Sequence, residues 1–310
     1  MRGLNVLAGI GTAGLIYAAA VEPRLFRLRH YCVPVLPPGA QPLRILHISD
    51  IHLTRKRHYA RRWISQLAEV NPDLVINTGD NLAENALDEL LETLQPLLKV
   101  PGFFCLGSND FYAARMRNPL RYVVRGSSAG DALPAHPDLP VDELITALTA
   151  HGWRWGDNRS AQLTIKGTRI HLFGVGDAHI NRDSPEAMAT ERSSRSTTQA
   201  TDDREQIAAG STSGEIKLGI THSPYTRVLD TFVDNNSDLV MAGHTHGGQI
   251  RIPGYGAPVT NCDLARNQAR GLFTYRGMPV EVSAGLGFSP YAPVRFACRP
   301  EASLVELVSR

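Results

Sequence analysis

The 310-residue sequence is poor in cysteine and nearly balanced in charge, and both properties exclude classes of protein. Its four cysteines lie far apart without a CxxC pair, which excludes a disulfide framework and a zinc knuckle. A formal net charge of +2 provides no strong field for nucleic acid, so we expect no nucleic-acid partner. The composition, 43% hydrophobic and 20% charged, is typical of a globular protein. We expect buried free thiols at Cys32, Cys105, Cys262 and Cys298.

The N-terminus carries the one segment that raises a membrane question, an uncharged run over residues 4–21. A helix needs about 20 apolar residues to span a bilayer, so the run is borderline in length. Three interpretations stay open: a membrane anchor, a signal peptide cleaved near the "AAA" at residues 18–20, and a packed helix. Arginines follow the run and favour a cytoplasmic body for an uncleaved anchor. The predicted location is the cytoplasmic face of a membrane, with a cytoplasmic or an exported protein as alternatives.

Five short apolar runs, nearly continuous and several of them rich in β-branched residues, predict strands buried on both faces. Between them, residues 57–72 and 86–100 have apolar side chains at helical spacing. Strands that alternate with helices of this length indicate the α/β class. The runs are LRILHI (43–48), DLVINT (73–78), GFFCL (102–106), IKLGIT (216–221) and DLVMA (238–242).

The rest of the chain suggests one catalytic domain over residues 43–310, preceded by an apolar segment and linker at residues 1–30. The Pro-rich stretch "CVPVLPPGAQP" that follows is an extended linker or an edge strand. Two loop insertions are predicted, at about 111–142 and 181–214. The second is rich in Ser, Thr and charge, which favours disorder over a functional lid.

Polar residues follow each of the five predicted strands, where a buried core would not place them. In open α/β sheets, ligands bind outside the carboxyl ends of the strands, so these residues should meet at one edge. Carboxylates and imidazoles without a thiolate favour Mn, Fe or Zn. Asp80 stands in the middle of the order and is the natural bridge between two ions. The motifs are SDIH with Asp50 and His52, GDN with Asp80, GSND with Asn109, THSP with His222, and GHTH with His244 and His246.

Two metal ions about 3.5–4 Å apart can hold a hydroxide that attacks phosphorus in line. No Ser, Cys or P-loop motif suggests a covalent intermediate. The expected function is therefore a two-metal-dependent phosphoesterase that hydrolyses a phosphodiester, phosphomonoester or pyrophosphate bond by a metal-bridging hydroxide. The expected partner is a phosphorylated small molecule or lipid. The apolar run at residues 4–21 motivates a lipid-linked or envelope substrate and membrane association.

The motifs DIH, GDN, GSND, THSP and GHTHGGQ resemble the calcineurin-like metallophosphoesterase family, whose pattern is DxH, GD, GNH(D/E), H and GHxH. GHTHGGQI with the later GLG…P…R is similar to its bacterial YkuE-like branch. The resemblance covers about residues 43–300 and implies a two-sheet β-sandwich flanked by α-helices, with the metal site at the carboxyl ends of the strands. It implies one ion held by Asp50, His52, Asp80 and His246, and a second held by Asp80, an amide of GSND, His222 and His244.

GSND departs from the family's GNH(D/E), in which Asn binds metal and His helps to protonate the leaving oxygen. An alignment without a gap places Ser108 on the Asn and Asn109 on the His. A slide of one residue keeps Asn109 as the ligand and places Asp110 where the His would be. Because an amide carbonyl binds a hard cation better than a hydroxyl, the slide is favoured, and Asn109 and Asp110 become the candidate catalytic residues. A missing general acid slows catalysis by about 10²–10⁴-fold.

Other residues offer replacements for the missing histidine. His58 follows the first motif, and His179 with Asp177 follows the apolar stretch IHLFGV. Arg295 is a candidate contact for a substrate phosphate, with a structural ion pair as the alternative. The alternative function for the whole chain is a catalytically weak or inactive protein-binding scaffold of the same fold.

Overall fold

The computed structural model describes residues 11–115, 133–184, 214–288 and 292–310, and twelve strands lie within them. The strands are β1 (Arg27–Leu36), β2 (Leu43–Ile48), β3 (Leu74–Asn77), β4 (Gly102–Phe104), β5 (Arg154–Trp155), β6 (Arg159–Ile165), β7 (Thr168–Val175), β8 (Glu215–Thr221), β9 (Leu239–Ala242), β10 (Gly271–Tyr275), β11 (Met278–Val282) and β12 (Glu301–Ser309).

The strands form two mixed sheets of six. The first sheet has the order β1-β12-β2-β3-β4-β5, with β2 to β5 parallel and β12 antiparallel to β2. The second has the order β10-β11-β9-β8-β7-β6, with β11, β9, β8 and β7 parallel. Parallel neighbours bring their carboxyl ends to one edge, which is where the predicted site residues lie.

The two sheets pack face to face and share one apolar core. Ile45, Ile76 and Phe103 of the first sheet pack in a single buried cluster with Leu218 and Met241 of the second. Helices cover the outer faces, so the central strands are buried on both sides and have the continuous apolar sequence expected of such strands. The predicted sandwich flanked by helices is confirmed.

Five α-helices occur in the described residues between 58 and 234; four of them bury an apolar stripe, and the short α3 buries Phe111. Ile64, Leu90 and Leu148, from three different helices, pack on the outer face of the first sheet. Phe232 packs on the second sheet against Val240. The helices are α1 (His58–Gln66), α2 (Leu87–Leu94), α3 (Ser108–Phe111), α4 (Val141–Ala150) and α5 (Thr226–Asp234).

All five predicted strands are present, with ends within two residues of the apolar runs. The Pro-rich stretch takes the edge-strand alternative, because β1 pairs with β12 at the end of the first sheet. Residues 116–132 and 185–213, which make up most of the two predicted insertions, lie outside the described residues. Among the thiols, Cys105 and Cys298 are buried and free. Cys32 is free but exposed, so the prediction of a buried thiol was wrong there.

The described N-terminal residues form a short helical segment. Residues 11–16 are helical, and a π-helical turn (Tyr17–Val21) and a 3₁₀ turn (Glu22–Arg24) follow. The buried carboxylate of Glu22 accepts hydrogen bonds from the backbone N–H groups of Ala297 and Cys298, which ties this segment to the C-terminal part of the domain. No helix within residues 11–115, 133–184, 214–288 and 292–310 combines the length and hydrophobicity that crossing a bilayer requires.

Candidate metal centre

Four of the predicted ligands form one compact group at the edge of the two sheets. The donor atoms of Asp50, His52, Asp80 and His246 all lie within 4.8 Å of one another. His52 Nε2 is 3.3 Å from Asp80 Oδ2 and 3.1 Å from His246 Nε2. His246 Nε2 is 3.5 Å from Asp50 Oδ1. Three loops, after β2, β3 and β9, therefore deliver two carboxylates and two imidazoles to one point.

The backbone at this point is strained, which is typical of functional sites. Non-glycine residues rarely adopt positive φ, because the Cβ atom crowds the backbone. Hydrogen bonds between the loops hold this conformation, since the N–H of Asp50 donates to Gly79 O (2.9 Å) and that of His52 to Asp80 O (2.9 Å). Five predicted ligands have positive φ: Asp50 (48°), His52 (41°), Asp80 (54°), His244 (69°) and His246 (50°).

His222 lies against Asp80, and His244 lies against His222. His222 Nε2 is 3.5 Å from Asp80 Oδ2. His222 Nδ1 is 2.6 Å from the carbonyl oxygen of Thr78, so we assign a proton to Nδ1, and Nε2 is the nitrogen that faces Asp80. The ring of His244 lies 5.2 Å from that of His222, and its Nε2 faces Asn261 O at 3.0 Å. Both rings are thus held by backbone carbonyls.

These residues fit a divalent cation. A metal-bound imidazole usually donates its second N–H to a carbonyl or carboxylate, as His222 does to Thr78. His222 Nε2 is buried without a hydrogen-bond partner, an arrangement that is costly unless another group satisfies it. Carboxylate oxygens and imidazole nitrogens without thiolates suit Mn, Fe or Zn.

Electrostatics keep Asp80 ionised. Burial alone would raise the pKa of its carboxyl, but His222 and His52 lower that pKa well below its usual range. Burial would lower the pKa of His222, and Asp80 instead raises it well above the usual value. Burial and the charge of His222 lower the pKa of His244 to about 4. A cation beside Asp80 would thus compete with a proton on His222, while His244 is already neutral at pH 7.

In the GSND loop, Asn109 contacts Asp80 with both its backbone and its side chain. Its N–H donates to Asp80 Oδ1 (2.8 Å) and its Nδ2 to Asp80 Oδ2 (2.9 Å). The Cα of Gly107 approaches so closely that a Cβ there would lie 2.2 Å from Asp80 Oδ1. Asn109 is therefore positioned against the predicted bridging carboxylate, with its amide nitrogen toward Asp80.

Asp110 lies one residue further on and points away from the site. Its fully buried carboxylate accepts hydrogen bonds from the N–H groups of Asp80 (2.8 Å), Asn81 (2.8 Å) and Gly107 (2.9 Å). Burial and the charge of Asp80 raise its pKa to about 6. This geometry disagrees with the predicted role of Asp110 as a substitute for the missing histidine, because its oxygens face backbone amides of the two loops.

Of the candidate replacements, His179 lies beside the site and His58 does not. The His179 ring is 4.4 Å from that of His244, and its Nδ1 is 3.0 Å from the hydroxyl of Tyr225. Asp177 accepts hydrogen bonds from the N–H of His179 and from Ser223 through Oδ1. His58 begins α1 and lines a surface groove between α1 and α2, outside the metal-binding group. Tyr225 was not predicted, although it follows His222 by three residues in "THSPY".

Arg295 bonds backbone carbonyl groups beside the site, and no carboxylate of the described residues forms an ion pair with it. It is fully buried, and its guanidinium donates to the carbonyl oxygens of Ala284 (2.8 Å) and Gly287 (2.6 Å), among others. Gly287 O is also 3.3 Å from His246 Nδ1. Arg295 therefore supports the loop that orients His246.

Residues 43–248 match the sequence model of the family described as calcineurin-like phosphoesterase. The chain belongs to this family. As a calcineurin-like phosphoesterase it is a metal-dependent phosphoric ester hydrolase, and its family uses divalent metal ions. The predicted family is thus confirmed.

Several relatives cover nearly the whole chain, among them the three that follow. The phosphodiesterase YaeI of Escherichia coli (strain K12) is 25% identical, over 96% of this chain and 94% of its own. The UDP-2,3-diacylglucosamine pyrophosphatase LpxG of Chlamydia trachomatis is 23% identical, over 94% and 92%. The uncharacterized metallophosphoesterase YkuE of Bacillus subtilis (strain 168) is 23% identical, over 97% and 93%. This calcineurin-like phosphoesterase therefore resembles full-length bacterial phosphoesterases, including the branch that its motifs indicated.

Proposed function

We propose that the protein uses two divalent ions, Mn, Fe or Zn, to hydrolyse a phosphodiester, phosphomonoester or pyrophosphate bond of a lipid-linked or envelope substrate. The observation that carries the proposal is the position of Asp80. Its Oδ2 lies 3.3 Å from His52 Nε2 and 3.5 Å from His222 Nε2, so one carboxylate faces two groups of nitrogen donors. When bound, the two ions supply an activated water molecule and offset the charge of the phosphoryl group.

Each ion has its own set of side chains around Asp80. The compact group contributes Asp50, His52 and His246 to one ion. His222, His244 and Asn109 are left for the other. Half a turn of the Asn109 amide would present Oδ1 where Nδ2 now contacts Asp80, so the ligand assignment of Asn109 requires no movement of the backbone.

Carbonyl groups fix the direction of three imidazoles. Thr78 O, Asn261 O and Gly287 O face one nitrogen each of His222, His244 and His246. Such partners fix the tautomer and the ring orientation of a metal ligand. The chain thereby contributes preorganised donors, and substrate binding needs no rearrangement of these rings.

Proton transfer to the leaving group falls to residues outside GSND. His179 lies next to His244 and contacts the Tyr225 hydroxyl, which makes the His179–Tyr225 pair the best placed donor. Burial and His244 lower the pKa of His179 to about 3, so the ring is neutral at pH 7 and transfers a proton poorly by itself. A substrate with a good leaving group, such as a pyrophosphate, depends least on this step. The names of LpxG and YaeI support a pyrophosphate or a diester.

The test measures hydrolysis of bis(p-nitrophenyl) phosphate, p-nitrophenyl phosphate and a nucleoside diphosphate sugar after loading with Mn²⁺, Fe²⁺ or Zn²⁺. Asp80→Ala should lower turnover by at least about 10³-fold and lose bound metal, since both sets share this carboxylate. Asp88→Ala, an exposed aspartate on α2, is the matched control and should behave as wild type. A protein that binds metal but hydrolyses none of the three substrates would contradict the proposal. A protein that binds no metal would favour the scaffold.

A further inference from the structure

Large apolar side chains are exposed together on one surface of the molecule. Leu15 is 71% exposed, Ile252 50% and Tyr255 51%. Single exposed apolar residues are normal, but a contiguous group of them marks an interaction site. We call the surface the apolar face and define it by Leu15, Ile16, Tyr17, Val21, Ile250, Ile252, Tyr255 and Phe296.

Direct contacts join the three segments of the apolar face. The rings of Tyr17 and Phe296 lie edge to face at 6.5 Å. Arg251 N donates to Phe296 O (2.8 Å), which pairs the loop after His246 with the segment around Phe296. Arg295 N donates to Ala18 O (2.9 Å), which holds the N-terminal helix against the same segment. The exposed residues therefore belong to one continuous structure.

Arginine predominates in the segments of the apolar face, and the one carboxylate among residues 246–280, Asp263, is hydrogen-bonded to Thr226 on α5. Residues 246–262, 264–280 and 292–300 contain arginines but no carboxylate. In residues 11–25 the only acidic residue is Glu22, which is buried and hydrogen-bonded. The guanidinium of Arg266 lies over the Tyr255 ring at 4.5 Å, so a cation borders the exposed aromatic group directly.

We propose that the apolar face docks on the surface of an anionic phospholipid bilayer. Apolar side chains flanked by arginines are the combination that binds at the boundary between headgroups and acyl chains. A second copy of this chain fits less well, because a two-fold contact would bring two arginine-rich borders together without carboxylates to neutralise them. The uncharged sequence also continues over residues 4–10.

The apolar face adjoins the metal centre, and here the inference rests on the proposed function. Gln249 N donates to His246 O (2.9 Å), and Ile250 is the next residue. Docking would therefore place the His246 loop at headgroup level. The substrate would then be a lipid that stays in the membrane while its phosphate or pyrophosphate group reaches the metal centre.

The test is flotation of the full chain with two kinds of vesicle, phosphatidylcholine alone and phosphatidylcholine mixed with phosphatidylglycerol. We expect binding to the anionic vesicles. The triple variant Ile252→Ser, Tyr255→Ser, Phe296→Ser should bind at least about tenfold more weakly, although it keeps residues 1–21. Leu133→Ser, which changes a leucine outside the apolar face that is 39% exposed, is the matched control and should float as wild type.

Three results would overturn the inference. Unchanged flotation of the triple variant would show that the N-terminal run acts alone. Equal binding to both kinds of vesicle would refute the role of the arginines. A dimer that the triple variant loses, with no vesicle binding by either protein, would assign the apolar face to a second copy.

Further measurements separate this inference from the proposed function. Asp80→Ala should float as wild type, whatever its activity. The triple variant should hydrolyse soluble bis(p-nitrophenyl) phosphate at the wild-type rate but lose activity on a phosphorylated lipid held in vesicles. Equal loss on both substrates would refute the presentation of a membrane-bound lipid.

Discussion

Replacing Glu281 with leucine should destabilise the protein by about 3–5 kcal/mol, because Glu281 anchors a buried polar connection between the two sheets. Glu281 lies on β11 of the second sheet and bonds His47 Nδ1 on β2 of the first. Its other oxygen accepts a hydrogen bond from Ser303 Oγ on β12 (2.7 Å). His47 Nε2 is 2.9 Å from Thr78 Oγ1, and Thr78 O faces His222. All of these side chains are fully buried.

The magnitude follows from what leucine leaves behind. His47 Nδ1 and Ser303 Oγ would both lose their partners, and each unsatisfied buried group costs about 1–3 kcal/mol. Replacing both members of a buried pair with apolar residues is often neutral. The double variant His47→Leu, Glu281→Leu should therefore be more stable than the sum of the single changes predicts, with a coupling energy of about 1–3 kcal/mol.

The assay is urea unfolding monitored by circular dichroism. The midpoints of the variants are compared with that of the wild type, provided that the dependence of the unfolding free energy on urea is the same. Glu306→Leu is the matched control: Glu306 is an exposed glutamate on β12, and its loss should change stability by no more than about 0.5 kcal/mol. Calorimetric titration with Mn²⁺ adds a second measurement, because a loosened Thr78 should weaken metal binding at His222. The reasoning would be refuted if the destabilisations of the two single variants simply added up in the double variant. A Glu281→Leu protein with wild-type stability would also refute it.

Three further predictions concern other buried groups of the protein. Gly243→Ala should lower Mn²⁺ affinity in calorimetric titration by at least about tenfold, since the new Cβ would lie 1.9 Å from Ser49 Oγ beside the metal centre; unchanged affinity would contradict the packing. Burial raises the pKa of Asp157 to about 7, so between about pH 4 and pH 7 the folded state keeps a proton that the unfolded state has lost, and stability falls as pH rises. Asp157→Asn should then be more stable than wild type by about 1–3 kcal/mol at pH 8 and equal to it below pH 4, and a difference independent of pH in thermal melts would count against this. Arg295→Met should lower the free energy of unfolding by at least about 2 kcal/mol because it leaves buried carbonyl groups unsatisfied, whereas a higher KM at unchanged stability would indicate a substrate contact.

The strands and their ends could be predicted from the local sequence. Each central strand is covered on both faces, so its sequence is continuously apolar, and the first polar residues after it mark the sheet edge. Asp50, His52, Asp80 and His246 could therefore be predicted to meet, and they do. Helix α4 was missed because it begins at the end of a stretch without clear periodicity.

The sequence could not predict which way a side chain points in the loop after a strand. Asn109 and Asp110 are neighbours, yet one contacts Asp80 with its side chain and the other turns to the backbone of two loops. That difference depends on how closely the loops after β3 and β4 approach. The role of Arg295 could not be predicted for the same reason, because an arginine near a phosphate site and an arginine under a loop have the same local sequence.

By itself, the sequence determined the class of fold, the family and the four side chains of the compact group, because these depend on periodicity and on residues adjacent to strands. The tertiary structure alone decided which polar groups became internal supports and which apolar groups stayed exposed. His47 and Glu281 are 234 positions apart and meet only because the two sheets stack in one register. Tyr17 and Phe296 likewise share a surface only through the packing of the N-terminal helix. Contacts between distant residues depend on sheet pairing and packing, and no local pattern records them.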